Sequence, residues 1–235
     1  MTEDEQVLFA AKYSHRIRKV DQNGIISTIA GNGIGFVPKN ELTNETLDMP
    51  SSVFQYKNDI YIADVGNHRI VKKDQHGTST TIAKVNNGVT GDAFPIFVHN
   101  DEVYFTDGKG LLFKTSITGS GNVQIIAGIE YESGFNGRSM LATKCVLDYP
   151  KGIFIDDDSQ IYIADTYNHC IRKIDKDGNI RIIVGTGDKG YSGDVPFDFQ
   201  RYPHIGPKKK KQWIKPFPHA LYDLIVICCS EIHED

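Results

Sequence analysis

The sequence is poor in the features that mark secreted, membrane and disulfide-rich proteins. Its 235 residues contain only four cysteines, of which Cys228 and Cys229 are adjacent, so the better interpretation is free thiols in a reducing compartment. The acidic start at residues 1–5 has neither the basic nor the apolar segment of a signal peptide. No apolar run is long enough to span a bilayer. We therefore expect a cytoplasmic protein with no membrane segment.

The sequence also lacks the short motifs of common catalytic sites. It contains no GxSxG, HExxH, P-loop or CxxC pattern. Its net charge is −4, from 26 Lys and Arg against 30 Asp and Glu, which disfavours a surface built mainly for nucleic acid. We therefore predict no catalytic residues and no cofactor, and we do not expect nucleic acid as the partner.

What the sequence has in abundance is internal repetition. Residues 160–187 contain three short β-prone segments joined by two tight turns, the second at Asp177-Gly178. Residues 6–33 align with this block without a gap, and residues 59–83 share its Tyr-Ile-Ala-Asp text. A degenerate copy of the unit begins at Tyr104. The sequence thus contains four copies of one unit of roughly 50 residues.

Each of the last three units is preceded by a short apolar segment entered through proline, at Pro50, Pro95 and Pro150. This segment adds a fourth strand, and four successive antiparallel strands form the blade of a β-propeller. We predict an all-β propeller of four-stranded antiparallel blades at about residues 1–33, 50–84, 94–128 and 150–187. The first of these opens at its second strand. The predicted repeat domain covers residues 1–205, and residues 206–235 form a basic linker and an apolar C-terminal segment outside it.

The pattern Tyr-Ile-Ala-Asp-x-x-Asn-His-x-Ile-x-Lys occurs at residues 61–72 and 162–173 and resembles the NHL repeat. The resemblance extends over about residues 6–205 and implies a six-bladed propeller similar to the TolB type. The four units fall short of six, so the apolar run at 224–227 either pairs back onto a blade edge or belongs to a missing continuation. We favour the second alternative and expect the chain to be a piece of a longer protein.

Polar residues recur at the turn between the second and third strands of the units. They are Asp64, Asn67, His68 and Arg69 in one unit, Asp165, Asn168 and His169 in another, and His15 and Arg16 in the first. Such Asp and His side chains could form acid–base pairs. Because each set recurs at the same place in its own unit, we interpret them as a structural clasp of the hairpin.

Basic residues also recur, on the third strands, and could form an RNA-binding rim. Arg16, Arg69 and Arg172 belong to this row, together with Lys19, Lys72 and Lys173. Pairing with aspartates of the same blade is the favoured interpretation.

The function predicted from these patterns is a non-catalytic scaffold. We expect it to bind a protein or small-ligand partner through the rim loops at residues 31–49, 84–93, 128–149 and 185–202. A lactonase-like or lyase-like enzyme on the same fold is the alternative, and it would need metal ligands on the innermost strands, where only His99 is notable. An RNA-binding NHL module is a third possibility. No metal site is predicted.

Overall fold

The computed structural model describes residues 6–33, 35, 45–85, 95–119 and 122–188. These residues form four antiparallel β-sheets and three short 3₁₀ helices. Within these ranges, no helix is both long and apolar enough to cross a membrane. The predicted linker and apolar segment at 206–235 lie outside the described residues.

The four sheets follow one another along the chain, and we call them blades 1 to 4. Blade 1 contains β1 (Val7–Ala11), β2 (Arg16–Val20) and β3 (Ile26–Ala30). Blade 2 contains β4 (Pro50–Tyr56), β5 (Asp59–Asp64), β6 (Arg69–Lys73) and β7 (Ser79–Lys84). Blade 3 contains β8 (Ile96–His99), β9 (Glu102–Thr106), β10 (Leu112–Ser116) and β11 (Gln124–Ala127). Blade 4 contains β12 (Ser139–Leu141), β13 (Pro150–Ile155), β14 (Ile161–Asp165), β15 (Cys170–Ile174) and β16 (Asn179–Gly185).

The predicted propeller blades are confirmed. In blades 2 and 3 the strands are hydrogen-bonded in chain order, and blade 1 has three strands because it opens at the second strand of the unit. The second strand of a blade lies inside the sheet and is covered on both faces, which explains its unbroken run of apolar residues. Ile62 of β5 and Ile163 of β14 are both fully buried.

All four blades share one irregularity of strand register. In each, the pairing of the last two strands shifts by one residue, at Ile17/Arg18, Ile70/Val71, Leu112/Phe113 and Ile171/Arg172. Gly185 ends the last strand of blade 4 at φ +85°, and a Cβ there would collide with the carbonyl oxygen of His169. This position therefore requires glycine for both its backbone angle and the close approach of the neighbouring strand.

Adjacent blades pack face to face through apolar clusters. The first cluster contains Ile17, Leu47, Ile62 and Val71, the second contains Tyr61, Ile70, Val98 and Phe105, and the third contains Leu112, Cys145, Ile163 and Ile180. The first strands add a ladder of aromatic rings. The centroid of Phe97 lies 4.7 Å from that of Phe54 and 5.7 Å from that of Phe154. One ring thus links blades 2, 3 and 4.

Blade 4 contains a strand that the sequence did not predict. Residues 128–149 were expected to be a connection, but β12 lies within them and pairs antiparallel with the outer strand β16. A run of three residues is too short for a periodic pattern to be visible in the sequence. The pairing makes blade 4 a five-stranded sheet whose outer edge is covered by its own connection.

Candidate functional site

The turns between second and third strands lie at the same edge of the blades as the connections between blades. The Gly66 N–H donates to the Asp48 carbonyl at 2.9 Å, and the Tyr167 N–H donates to the Asp148 carbonyl at 3.1 Å. In both cases a turn contacts the connection that leads into its own blade. We call this edge of the propeller the connection face. The recurring polar residues all lie on it.

In blade 2 the recurring residues are organised around Asp64, which has no solvent exposure. Its carboxylate accepts hydrogen bonds from the Asp48 N–H at 2.6 Å, Asn67 Nδ2 at 2.9 Å and Arg69 Nε at 2.7 Å. Arg69 in turn donates through Nη2 to the carbonyl of Thr46 at 2.6 Å. The carboxylate therefore joins the second strand, the turn, the third strand and the connection.

Blade 4 repeats this arrangement around Asp165, which is also fully buried. Its carboxylate accepts hydrogen bonds from the Asp148 N–H at 2.7 Å, from Asn168 Nδ2 at 2.9 Å and from Arg172 Nε at 2.7 Å. Asn168 also donates to the carbonyl of Gly134 at 2.6 Å. Both carboxylates thus have three nitrogen donors supplied by the fold.

The arginine that pairs with the aspartate does not occupy the same place in the two blades. Arg69 follows its aspartate by five residues and Arg172 by seven. Cys170 takes the place of Arg69 in blade 4, and Val71 takes the place of Arg172 in blade 2. Positions two apart on a strand lie on the same face, so either can deliver a guanidinium to the carboxylate.

Burial dominates the electrostatics of these clasps. It raises the pKa of Asp64, and it raises the pKa of Asp165 to about 6 against the opposing effect of Arg172 and the other donors. Arg172 Nη1 lies 3.0 Å from Cys145 Sγ. Burial also raises the pKa of the Cys145 thiol to about 11 and that of the Cys170 thiol to about 12. Thiols with raised pKa values are poor nucleophiles at neutral pH.

The three recurring histidines share a backbone conformation rather than a partner. His15, His68 and His169 have φ of 54°, 52° and 47°, in the left-handed region that histidine visits more often than most residues. His15 Nδ1 lies 3.0 Å from Asp48 Oδ1 and 3.1 Å from the Met49 N–H. Among the described residues, Nδ1 of His68 has no hydrogen-bond partner. The structure thus does not bring His68 to the carboxylate of Asp64.

Blades 1 and 3 close the same turn by other means. Blade 1 has Ala11 in place of the aspartate, and Arg16 donates to the carbonyls of Ser14 at 3.1 Å and Asn32 at 3.3 Å. In blade 3, Oδ1 of Asp107 accepts the N–H groups of three following residues at 2.9 Å each, namely Lys109, Gly110 and Leu111. The turn needs a satisfied network, which backbone donors can supply as well as an arginine.

Sequence reasoning missed the two connection residues, Asp48 and Asp148, that complete the clasps. Their backbone N–H groups are donors, so the side chain gave no chemical signal. A repeated sequence motif could have identified them, because Leu-Asp-x-Pro occurs at residues 47–50 and again at 147–150. The third residues of these motifs, Met49 and Tyr149, both have a positive φ, of 46° and 45°.

The basic row on the third strands is directed at groups of the same blade. Lys72 Nζ lies 2.8 Å from Asp59 Oδ2 and 5.9 Å from the ring centroid of Tyr61. Lys173 Nζ lies 5.2 Å from the ring centroid of Tyr162, and this lysine is only 2% exposed. Burial accordingly lowers the pKa of Lys173.

Exposed tyrosines lie on the connection face. Tyr13 and Tyr167 occupy the same place in the turns of blades 1 and 4 and are 84% and 49% exposed. Tyr131, in the connection before blade 4, is 97% exposed. The ring of Tyr167 stacks on that of Tyr149 with centroids 4.5 Å apart. No group of three or more His, Cys, Asp or Glu side chains in the described ranges is arranged to hold a metal ion.

Comparison with known protein families assigns the chain to one of them. The model of the Teneurin NHL domain matches residues 53–198. The chain belongs to the Teneurin NHL domain family. Among curated proteins, this NHL chain is 28% identical over 204 residues to the chloroplastic protein SUPPRESSOR OF QUENCHING 1 of Arabidopsis thaliana. The match covers 76% of the chain and 19% of that relative, so the chain spans about a fifth of its length.

Solved structures show the same fold at low sequence identity. A chain of a nidogen/laminin complex matches with a TM-score of 0.56 and 16% identity, over 78% of this NHL chain and 62% of that one. A streptogramin B lyase matches with a TM-score of 0.54 and 16% identity, over 78% and 52%. An auxiliary nutrient binding protein of Bacteroides ovatus has a TM-score of 0.52 and 16% identity, over 77% and 55%. These likenesses concern the fold and not the activity.

Proposed function

We propose that this NHL propeller is a non-catalytic scaffold that binds a protein partner through its connection face. The observation that carries the proposal is the full burial of Asp64 and Asp165, each of which receives three hydrogen bonds from the fold. A carboxylate whose hydrogen-bonding positions are filled by the fold has no open position for a substrate. The recurring Asp residues thus hold the turns, and the loops above them are left to contact a partner.

The exposed tyrosines support a protein as the partner. Tyr167 and Tyr131 project from the turn and the connection that the Asp165 clasp joins, and Tyr13 projects from the corresponding turn of blade 1. Tyrosine offers a large, rigid contact surface with a polar tip and is enriched at protein interfaces. One of the structures that share the fold is a chain of a nidogen/laminin complex, which is an assembly of proteins.

The two other functions suggested by the sequence have weaker support. The streptogramin B lyase shares the fold at low identity, which says nothing about turnover by this chain. RNA binding through the basic row is disfavoured because Lys72 and Lys173 are directed at acids and rings of their own blades. We also propose a cytoplasmic location, since neither Cys145 nor Cys170 is in a disulfide.

The proposal is tested by removing the tyrosines. The triple variant Tyr13→Ala/Tyr131→Ala/Tyr167→Ala changes only the connection face. The control, Asn23→Ala/Gln75→Ala/Lys176→Ala, changes exposed residues in the turns at the opposite edge of blades 1, 2 and 4. A partner captured with the parent chain is purified, and its Kd is measured by calorimetry against all three proteins. We expect the tyrosine variant to weaken binding at least about tenfold and the control to change it by less than about twofold.

The opposite pattern would contradict the proposal, because it would place the partner on the other edge. The enzyme alternative is tested in parallel by incubating the parent chain with a streptogramin B and with simple lactones. Turnover that disappears in Asp165→Asn while the thermal melt is retained would show that the buried carboxylate is catalytic.

A further inference from the structure

His99, the notable polar residue of the first strands, contacts a serine of the neighbouring blade. It ends β8 of blade 3, and Ser159 lies in the turn between β13 and β14 of blade 4. Nε2 of His99 lies 3.0 Å from Oγ of Ser159. Turns between first and second strands lie at the edge opposite the connection face, so this contact is separate from the proposed partner surface.

The amide of Asn100 determines which nitrogen of His99 carries the proton. Asn100 Nδ2 lies 2.9 Å from His99 Nε2, and an amide NH₂ group can only donate a hydrogen bond. Nε2 is therefore the acceptor, and the proton of the neutral ring is on Nδ1. Since Nε2 has no proton to give, the Ser159 hydroxyl is the donor in its contact with His99. A base placed in this way activates a serine as a nucleophile.

The turn holds Ser159 in a backbone conformation that serine seldom adopts. Its φ is 61°, in the left-handed region. The Ser159 N–H donates to the carbonyl of Asp156 at 2.8 Å, and the next N–H, that of Gln160, donates to Asp156 Oδ1 at 2.8 Å. Both hydrogen bonds fix the turn and keep the side chain of Ser159 within reach of blade 3. Conformations of this kind are concentrated at functional sites.

The serine hydroxyl is accessible as well as paired with a base. Ser159 and Asn100 are exposed and His99 is half-buried, in contrast to the buried thiol of Cys145. Asn100 Nδ2 also lies 3.4 Å from Ser159 Oγ. A donor at this place stabilises negative charge that develops on oxygen during a reaction.

The matching interface between blades 2 and 3 is joined by a contact of another kind. Tyr56 ends the first strand of blade 2, as His99 ends that of blade 3. Blades 2 and 3 are linked at this edge by an ion pair of 2.7 Å between Lys57 Nζ and Asp101 Oδ1. Joining two blades here therefore does not require an imidazole and a hydroxyl. Unlike the aspartate clasps, this pair is not a repeated element of the fold.

We propose that Ser159 is a covalent acylation site, activated by His99, that takes an acyl group from an activated ester or thioester. Ser159 Oγ forms a bond to the acyl carbon, and the bond from that carbon to the leaving oxygen or sulfur breaks. The proton of the hydroxyl passes to His99 Nε2 and from there to the leaving group. One acyl group is added per chain, which is compatible with a non-catalytic scaffold.

The charges around Ser159 favour a neutral or cationic acyl donor. Three aspartates precede it in the turn, Asp156, Asp157 and Asp158. Lys176 Nζ lies 3.9 Å from Asp158 Oδ1 and balances one of these charges. The remaining negative charge repels an anionic donor such as an acyl phosphate.

The probe is p-nitrophenyl acetate, a neutral activated ester, added to the full chain. Trypsin then releases residues 152–172, and mass spectrometry follows acetylation at Ser159 over time. We expect His99→Gln, which removes the base, to slow this acetylation at least about tenfold. His76→Gln removes an exposed histidine at the same edge, is the matched control and should change the rate by less than about twofold.

A second serine at the same edge is an internal control. Ser116 Oγ contacts a hydroxyl, Thr118 Oγ1, at 3.0 Å instead of an imidazole. In one sample of the parent chain, we expect Ser159 to be acetylated at least about tenfold faster than Ser116. Two thioesters test the donor class, each rate being divided by that of its reaction with hydroxide. Cationic acetylthiocholine should acetylate Ser159 at least about threefold faster than anionic S-acetylthioglycolate.

Three outcomes would overturn the proposal. An unchanged rate in a folded His99→Gln variant would show that the histidine does not activate the serine. Equal acetylation of Ser159 and Ser116 in the parent would show the same, and this measurement remains decisive should His99→Gln fail to fold. Faster reaction with the anionic thioester would contradict the assigned class of acyl donor.

Discussion

Arg172 Nε lies 2.7 Å from Asp165 Oδ2, the distance at which Arg69 Nε meets Asp64 Oδ2, although Arg172 stands two places further along its strand. The ion pair is therefore preserved in geometry while the residue that supplies it has moved. A fully buried carboxylate requires a charged or multiple-donor partner, since an uncompensated buried charge is very unfavourable. The buried aspartate therefore requires the contact with an arginine, but the arginine can occupy either of two positions on the same face of the third strand.

We expect Asp64→Ala to lower the free energy of unfolding by about 3–5 kcal/mol, because it leaves the buried Arg69 without its counter-charge. His68→Gly should cost less than about 1 kcal/mol, since the φ of 52° suits glycine and Nδ1 has no hydrogen-bond partner among the described residues. Guanidinium titrations of both variants check this. The double variant Asp64→Ala/Arg69→Met should be more stable than Asp64→Ala. Equal losses at both sites would instead make the histidine part of the clasp.

The stability contributed by Asp165 should fall as the pH rises. Its pKa is about 6 in the folded protein and 3.8 as the reference value, so the folded state binds the proton more tightly. The free energy of unfolding of the parent relative to Asp165→Asn should therefore decrease between about pH 4 and pH 6, by up to about 3 kcal/mol, and be flat above. Melts of both proteins across this range measure the difference. A rise over the same window would mean that Arg172 lowers the carboxyl pKa instead.

Cys145 and Cys170 should be inert in the folded protein. They are 0% and 1% exposed, and burial raises their pKa values to about 11 and about 12. In a variant with Cys228→Ser and Cys229→Ser, we expect no reaction with a chromogenic disulfide reagent at pH 8 and reaction of both remaining thiols in denaturant. Tyr13→Cys, at an exposed turn, is the positive control and should react within seconds. Rapid modification of this double variant in its folded state would contradict the burial.

The sequence predicted the strands well because propeller blades are nearly local structures. The aligned sequences of residues 59–83 and 160–184 contain hairpin-turn residues and an apolar second strand. Each of these features is determined by residues that are close together in the sequence. The clasp partners were harder to predict. Arg172 could not be aligned with Arg69, and the donors of Asp48 and Asp148 are backbone groups whose positions depend on how a connection folds back. The strand β12 depends on pairing across a long connection, which local pattern does not encode.

The last expectation concerns Phe97, whose ring contacts Phe54 and Phe154 and so joins three blades. We expect Phe97→Ala to lower the free energy of unfolding by about 2–4 kcal/mol, since it removes a half-buried ring and two aromatic contacts. Phe97→Leu, which keeps most of the volume, should cost less than half of that. Tyr131→Ala, at a 97% exposed position, should change stability by less than about 0.5 kcal/mol.

The blades are stacked units that stabilise one another through their interfaces, so the loss of the Phe97 ring should also reduce the cooperativity of unfolding. A smaller denaturant m-value or a two-step transition in Phe97→Ala would show this. A single transition of unchanged slope and midpoint would mean that the inner ladder does not couple the blades.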